Sequence, residues 1–208
     1  MMKLKGSPLL IATNNKGKIK ELQDLLEETG IELVIPAQID LDLDVVEDGN
    51  TYAENASKKA VAFAQASGLI SLADDSGLEV DALDGAPGLY SARYGSTDGG
   101  KLSDAERRAI LIQNLQDKPR PWTAHFHATI AVAVPNGETR LAEGVCAGEI
   151  IPEERGTGGF GYDPIFLLSE LGKTMAELAI EEKNRLSHRA RAVMNAKQIL
   201  GQLFKSAE

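Results

Sequence analysis

Apolar positions along this chain alternate between a period of two and a period of three to four, and the succession predicts strands interleaved with helices. Pro8 to Thr13 is an apolar run of strand length. Ile19, Leu22, Leu25 and Leu26 then recur at helical spacing through Lys16 to Thr29, closed by Gly30. Ile31 to Ile35 reads as a second strand stopped by Pro36, and the acidic stretch Asp40 to Asp48 as irregular. Thr51, with Glu54 three residues on, makes a capping box for a helix that runs to Ser67 and stops at Gly68. Leu69 to Ala73 is a short strand that ends in the acidic turn Asp74-Asp75-Ser76-Gly77, and Gly77 to Leu83 is placed to pair back on it. Asp84 to Gly100 is rich in Gly, Pro and Ser, holds no period, and reads as a long ordered loop over a site. Ser103 caps a helix from Asp104 to Gln116. Ala124 to Val134 and Glu138 to Ile151 alternate around Pro135-Asn136-Gly137, the strongest hairpin signal in the chain. Beyond them come the glycine-rich turn Gly156 to Gly161, a short strand from Pro164 to Leu168, a helical turn capped by Thr174, and one long helix from Arg185 to Phe204.

This pattern indicates an α/β protein, and a chain of 208 residues suits one domain over 1–208 better than two independent ones. With 43% hydrophobic and 25% charged residues the composition is that of an ordinary soluble protein. No apolar run approaches the ~20 residues that span a bilayer, and Leu9 to Ala12 is too short for a signal-peptide core, so a cytoplasmic location is expected. The single Cys146 cannot form an intramolecular disulfide and reads as a small buried hydrophobe. A net charge of −9 argues against a general nucleic-acid binder. If such an acidic chain handles phosphates, a divalent cation would neutralise both the ligand and the protein's own carboxylates.

Three segments carry candidate chemistry. Asp74-Asp75-Ser76-Gly77 offers adjacent carboxylates, which repel unless a cation lies between them; taken alone, the segment favours a polar turn bonded to its own backbone. Thr13-Asn14-Asn15-Lys16-Gly17-Lys18 joins a strand to a helix, where amides, the helix dipole and lysines converge in a way that suits a phosphate; a helix cap and turn with surface lysines fits the segment equally well. It is not a Walker A loop, because Ala12 and Ile19 stand where that motif needs Gly and Ser or Thr. Gly156 to Gly161 matches G-x-G-x-x-G, but Tyr162-Asp163-Pro164 leads into an extended segment rather than a helix, so a dinucleotide fingerprint is rejected. His125 and His127 share a strand face without a third ligand in sequence and are read as structural.

In order, Thr13 to Lys18, Glu54-Asn55-Ala56 with Lys58, Ala73 to Gly77, Gly85 to Gly88 through Tyr90-Ser91-Ala92-Arg93-Tyr94, Gly156 to Pro164, and Ser187-His188-Arg189 resemble the inosine/xanthosine triphosphate pyrophosphatases, the HAM1-like family. The resemblance implies Mg²⁺-dependent hydrolysis of ITP, dITP or XTP to the monophosphate and pyrophosphate. It also implies an elongated mixed central sheet flanked by helices, two lobes with the active-site cleft between them, and a homodimer. Carried over by motif, Asp75 is the general base, and Glu47, Asp74 and Asp75 surround the metal; Asp44 and Asp48 lie in the same stretch as rivals for Glu47. Thr13, Asn14, Asn15, Lys16, Gly17 and Lys18 contact the triphosphate, with Lys18 offsetting charge during catalysis. Ser76, Gly161, Tyr162, Asp163 and Lys183 complete the substrate contacts, Phe160 stacks on the base, and His188 and Arg189 read its 6-oxo group. A non-catalytic nucleotide sensor and a pyrophosphatase for other modified nucleotides are the rival readings.

Overall fold

Strand β1 (Leu9–Ile11) shows the two-residue alternation at its simplest, because its neighbours on the two sides belong to different cores. A computed structural model describes residues 7–96 and 102–205, which form two compact units. The first contains the described residues of Met1–Asp75, Ala128–Gly144 and Arg189–Glu208; the second contains those of Ser76–His127 and Val145–His188. The other strands are β2 (Leu33–Val34), β3 (Ser71–Val80), β4 (Trp122–Ala133), β5 (Thr139–Ile150), β6 (Phe166–Leu168) and β7 (Lys173–Thr174). Their order in one seven-stranded sheet is β2-β1-β3-β4-β5-β6-β7. Pairing is parallel from β1 to β2 and β3, and antiparallel from β6 to β5 and β7, so the sheet is mixed, as expected.

In the first unit, Leu9, Ile11, Ile70, Leu72, Ile130 and Val132 occupy one face, beneath α1 (Lys16–Leu26) and α5 (His188–Lys205). Leu10, Ala12, Ala73, Ala131 and Ala133 occupy the other, where the alanine-rich side of α2 (Tyr52–Ser67) packs through Ala56, Ala60, Phe63 and Ala64. Each fully buried Leu or Ile contributes roughly 1.5–3 kcal/mol, so a slip of one residue in β1 or β3 would exchange both cores at once. The Thr51 hydroxyl accepts from Glu54 N at 3.1 Å and Gly68 N donates to Ala64 O, so cap and stop form as predicted, but the Glu54 carboxylate accepts from Asn50 N and the expected capping box is not closed. In the second unit, Leu78 and Val80 of β3 pack with Leu111 and Leu115 of α3 (Asp104–Leu115), Trp122, Phe126, Ile150, Phe166 and Leu168.

The structure corrects the sequence reading at two places that matter for function. Asp74-Asp75-Ser76-Gly77 is not a turn: it lies inside the continuous strand β3, so Gly77 to Leu83 does not pair back on Leu69 to Ala73. Buried lysines and an arginine match those carboxylates, which removes the reason for them to loop out to water. The long helix expected from Arg185 to Phe204 is two helices, α4 (Ile180–Leu186) and α5, broken at Ser187, whose backbone is extended (φ −66°, ψ 155°). The Asp84 to Gly100 segment holds a 3-10 turn at Gly88–Arg93, and its residues 97–100 lie outside the described residues. Among the described residues no helix is long and apolar enough to cross a membrane.

Candidate active site

Because side chains on a strand point alternately to opposite faces, Asp74 shares the parity of Leu72 and Asp75 that of Ala73. Asp74 therefore meets α1 and α5, and Asp75 meets α2. Arg189, near the start of α5, donates to Asp74 Oδ2 from Nη2 at 3.0 Å and from Nε at 3.3 Å, while its Nη1 pairs with Glu21 of α1. Lys18 Nζ lies 2.9 Å from the same Oδ2. On the other face, Lys59 Nζ lies 3.2 Å from Asp75 Oδ1 and 2.7 Å from Glu47 Oε1. The main-chain oxygen of Asp74 accepts from both lysines, at 2.9 Å from Lys59 and 3.2 Å from Lys18.

The two aspartates are thereby driven apart in acidity. Burial pushes Asp74 upward, but Arg189 and Lys18 outweigh it and hold the carboxyl well below the usual carboxylate range. Burial also lifts Asp75, and although Lys59 and Lys18 oppose it, the nearby Glu47 and Asp74 charges help keep it above its ordinary value. Burial lowers the Lys18 ammonium against the pull of Asp74, with Lys59 and Arg189 adding to the fall. Burial also penalises the Lys59 ammonium, but Asp75 and Glu47 more than offset this and raise it. Two neighbouring carboxyls of divided acidity suit divided roles: Asp74 stays ionised as an anchor, and Asp75 is the better proton acceptor.

The turn before α1 is closed by its own side chains. Asn15 Oδ1 caps the helix by accepting from Gly17 N at 2.9 Å and Lys18 N at 3.1 Å, and Thr13 Oγ1 accepts from Asn15 N. Asn14 and Lys16 are exposed beside it. Two of the amides expected to face a phosphate are thus already bonded to Asn15.

In the second unit, Asp163 Oδ2 accepts from Phe160 N at 2.9 Å and from Lys183 Nζ at 2.7 Å, and that ammonium lies 5.5 Å from the centre of the Phe160 ring. Gly159 makes this possible, since a Cβ there would fall 1.9 Å from Asp163 Oδ2 and the residue sits at φ +71°. The Tyr162 hydroxyl donates to Ser91 O. His188 is buried with its ring stacked on Phe126 at 4.6 Å. Ser76, half-buried, follows Asp75 along β3.

Reading the sequence alone missed Lys59 and Glu21. Both are charged residues on otherwise apolar helical faces, Lys59 between Ala56, Ala60 and Phe63, and Glu21 beside Leu22 and Leu25. A buried charge in such a stripe needs a partner, which was the available signal. Lys58, quoted within the motif, instead pairs at the surface with Asp48 at 2.6 Å.

Among the described residues no three His, Cys, Asp or Glu side chains are grouped to hold a metal ion by themselves. Glu47 and Asp75 nonetheless converge on one cation, Lys59, with hard carboxylate oxygens. That donor set fits Mg²⁺, which is commonly held by one or two carboxylates together with substrate phosphates.

A single match to the Ham1 family covers residues 9–199, through both units. The chain is 49% identical to a dITP/XTP pyrophosphatase of Desulforamulus reducens, over 94% of this chain and 96% of that protein. Its fold is similar to the Ham1 protein of Coxiella burnetii, at TM-score 0.81 and 38% identity over 93% of this chain and 98% of the other. A Ham1 protein from Staphylococcus aureus is also 38% identical, at TM-score 0.80 over 93% and 97% of the two chains. The chain belongs to the Ham1 family.

Proposed function

We propose that this protein is a nucleoside triphosphate pyrophosphatase that hydrolyses ITP, dITP and XTP to the monophosphate and pyrophosphate, clearing deaminated purines from the nucleotide pool. Relatives of that name, matching over nearly the whole chain, support the substrate class. The observation that carries the chemistry is the division of Asp74 from Asp75 across β3, which leaves a basic carboxylate beside a cluster of buried cations. A sensor needs no such division.

Asp75 accepts the proton of the water that attacks the α-phosphorus, and its raised basicity suits that task. Lys18 faces the charge that grows on the departing pyrophosphate oxygen. Asp74 holds Lys18 and Arg189 in place, and its charge opposes the fall that burial imposes on the Lys18 ammonium. Of the expected acidic group, Glu47 and Asp75 would hold Mg²⁺, while Asp74, bonded to Arg189 and Lys18 on the other face of β3, would act on the ion through its charge. Bound there, Mg²⁺ would supply positive charge to offset the phosphates and help orient the water. Thr13 to Gly17 receive the triphosphate at the α1 N-terminus, where Asn15 can yield its amides to a stronger anion. Phe160 stacks on the base, with Ser76, Gly161, Tyr162, Asp163 and Lys183 around it. His188 and Arg189 face the 6-oxo group through the first turn of α5, because the Arg189 guanidinium is occupied by Asp74 and Glu21. The protein works in the cytoplasm as a homodimer, as the resemblance implies, with neither nucleic acid nor membrane as partner; the net charge of −9 argues against nucleic acid and the lone cysteine agrees with a reducing compartment.

The test is product analysis with ITP, XTP, GTP, ATP and dTTP, with and without Mg²⁺. ITP and XTP are expected to give pyrophosphate in a metal-dependent manner. ATP, whose 6-amino group leaves a 6-oxo donor unpaired, is expected to be slower by about 10⁴. GTP keeps the 6-oxo group and is the nearest poor substrate. Orthophosphate release would place the attack at another phosphorus, and binding without turnover would favour a sensor.

A further inference from the structure

We infer that Asp104 and Arg108, one turn apart at the start of α3, clamp Gly161 and thereby set how Phe160 is presented to the base, which makes them positioning residues for base selection. The inference rests on the proposed role of Phe160 in stacking. Residues four apart on a helix share a face, and these two hold opposite poles of the same glycine. Asp104 Oδ2 accepts from Gly161 N at 2.7 Å, and Arg108 Nη1 donates to Gly161 O at 2.8 Å. The peptide planes on both sides of Gly161 are therefore fixed, and with them the backbone of Phe160.

Gly161 needs such a restraint. It sits at φ +62°, and a Cβ on it would meet nothing within 4 Å, so packing does not hold the loop there. The clamp is itself braced. Glu154 takes Arg108 Nε and Nη2 as a fork, each at 2.8 Å, which leaves Nη1 aimed at the carbonyl. The second oxygen of Asp104 is bonded to Arg107, whose Nη1 also holds Leu102 O. On its opposite side, Phe160 is fixed by Asp163 through its amide. The Phe160 backbone is thus held from two directions, by Asp163 at its own amide and by the first turn of α3 through Gly161, and the Lys183 ammonium lies over the ring.

Arg108→Ala and Asp104→Ala should each raise KM for ITP about tenfold, the worth of one charge-assisted hydrogen bond, with kcat within about threefold of wild type. The ratio of kcat/KM for ITP over GTP should fall with them. Asp104→Asn keeps an acceptor for Gly161 N at the cost of the Arg107 contact, and should recover most of the KM and of the ITP-to-GTP ratio that Asp104→Ala loses. In a Phe160→Ala background, Arg108→Ala should add little to KM, because the clamp acts through that ring. A purely structural role would lower the active fraction for every substrate and leave KM, the ITP-to-GTP ratio and the Asn rescue unaffected. Wild type assayed alongside separates the two levels. A wild type that releases no pyrophosphate from ITP defeats the functional reading. An active wild type whose clamp variants keep their KM and ITP-to-GTP ratio, or act additively with Phe160→Ala, overturns the clamp. Should Arg108→Ala fail to fold, the contrast between Asp104→Ala and Asp104→Asn decides the matter by the same readouts.

Discussion

Asp75→Asn is expected to lower kcat for ITP by about 10³-fold, to leave nucleotide affinity nearly unchanged, and to raise the melting temperature when no divalent cation is added. The loss follows from removing the proton acceptor while keeping its shape. Asn can still accept from Lys59, and Lys59 retains Glu47 and the Asp74 carbonyl, so the cluster does not collapse. The gain follows from linkage. Asp75 has a folded pKa above its unfolded value, so as pH rises through the carboxylate range the unfolded chain releases its proton first. Ionisation thus favours unfolding, and above the folded pKa the whole penalty is present; Asn removes it at neutral pH. Pyrophosphate release, calorimetric binding and melting curves in a chelator check the three parts. Near-normal turnover would dismiss Asp75 as base, and a lower melting temperature would dismiss the burial penalty assigned to it.

That both effects are expected from one residue reflects where β3 puts it, and this was the part of the site least legible in the sequence. Local signals were sound where local physics decides. The Ser103 and Thr51 caps, the Gly68 stop and the Asn136-Gly137 hairpin all stand in the structure, since each is settled by hydrogen bonds within a few residues. Asp-Asp-Ser-Gly misled because its turn preference is also local, whereas the strand it forms depends on Lys18, Lys59 and Arg189, distant in sequence. The two-residue period, once extended through Asp74 and Asp75, assigns each aspartate to its helices without further information. Helical period likewise passed over Ser187, because Leu186 and Val193 fit one helix as well as two. The resemblance named Lys18, Glu47, Asp74, Asp75 and Arg189 of this charged cluster, but not Lys59 or Glu21, which brace it from within apolar helix faces.

Arg189→Met should destabilise the protein by about 3–5 kcal/mol, a large share of the roughly 5–15 kcal/mol that holds a typical domain together. Met keeps the aliphatic stem against α5's neighbours, so the loss isolates the charge. Asp74, Glu21 and Arg189 side chains are 0%, 9% and 3% exposed, and without the guanidinium two buried carboxylates face each other with Lys18 as the remaining cation on that side of β3. Removing the acids as well, in Arg189→Met with Glu21→Gln and Asp74→Asn, should recover most of the deficit, since the cost lies in uncompensated charge rather than in lost contact area. The pH dependence distinguishes this from a packing defect. In the wild type the folded pKa of Asp74 is depressed, so its stabilisation is complete above the unfolded value near 3.9 and is lost as pH falls toward the folded one. Without Arg189 burial is opposed only by Lys18 and Lys59, so the folded pKa of Asp74 moves up and acid more readily neutralises the stranded carboxylate. Urea midpoints should therefore show the deficit shrinking between pH 7 and about pH 4. A deficit that stays constant across that range would mean that Arg189 stabilises the fold by packing and not by holding Asp74 ionised.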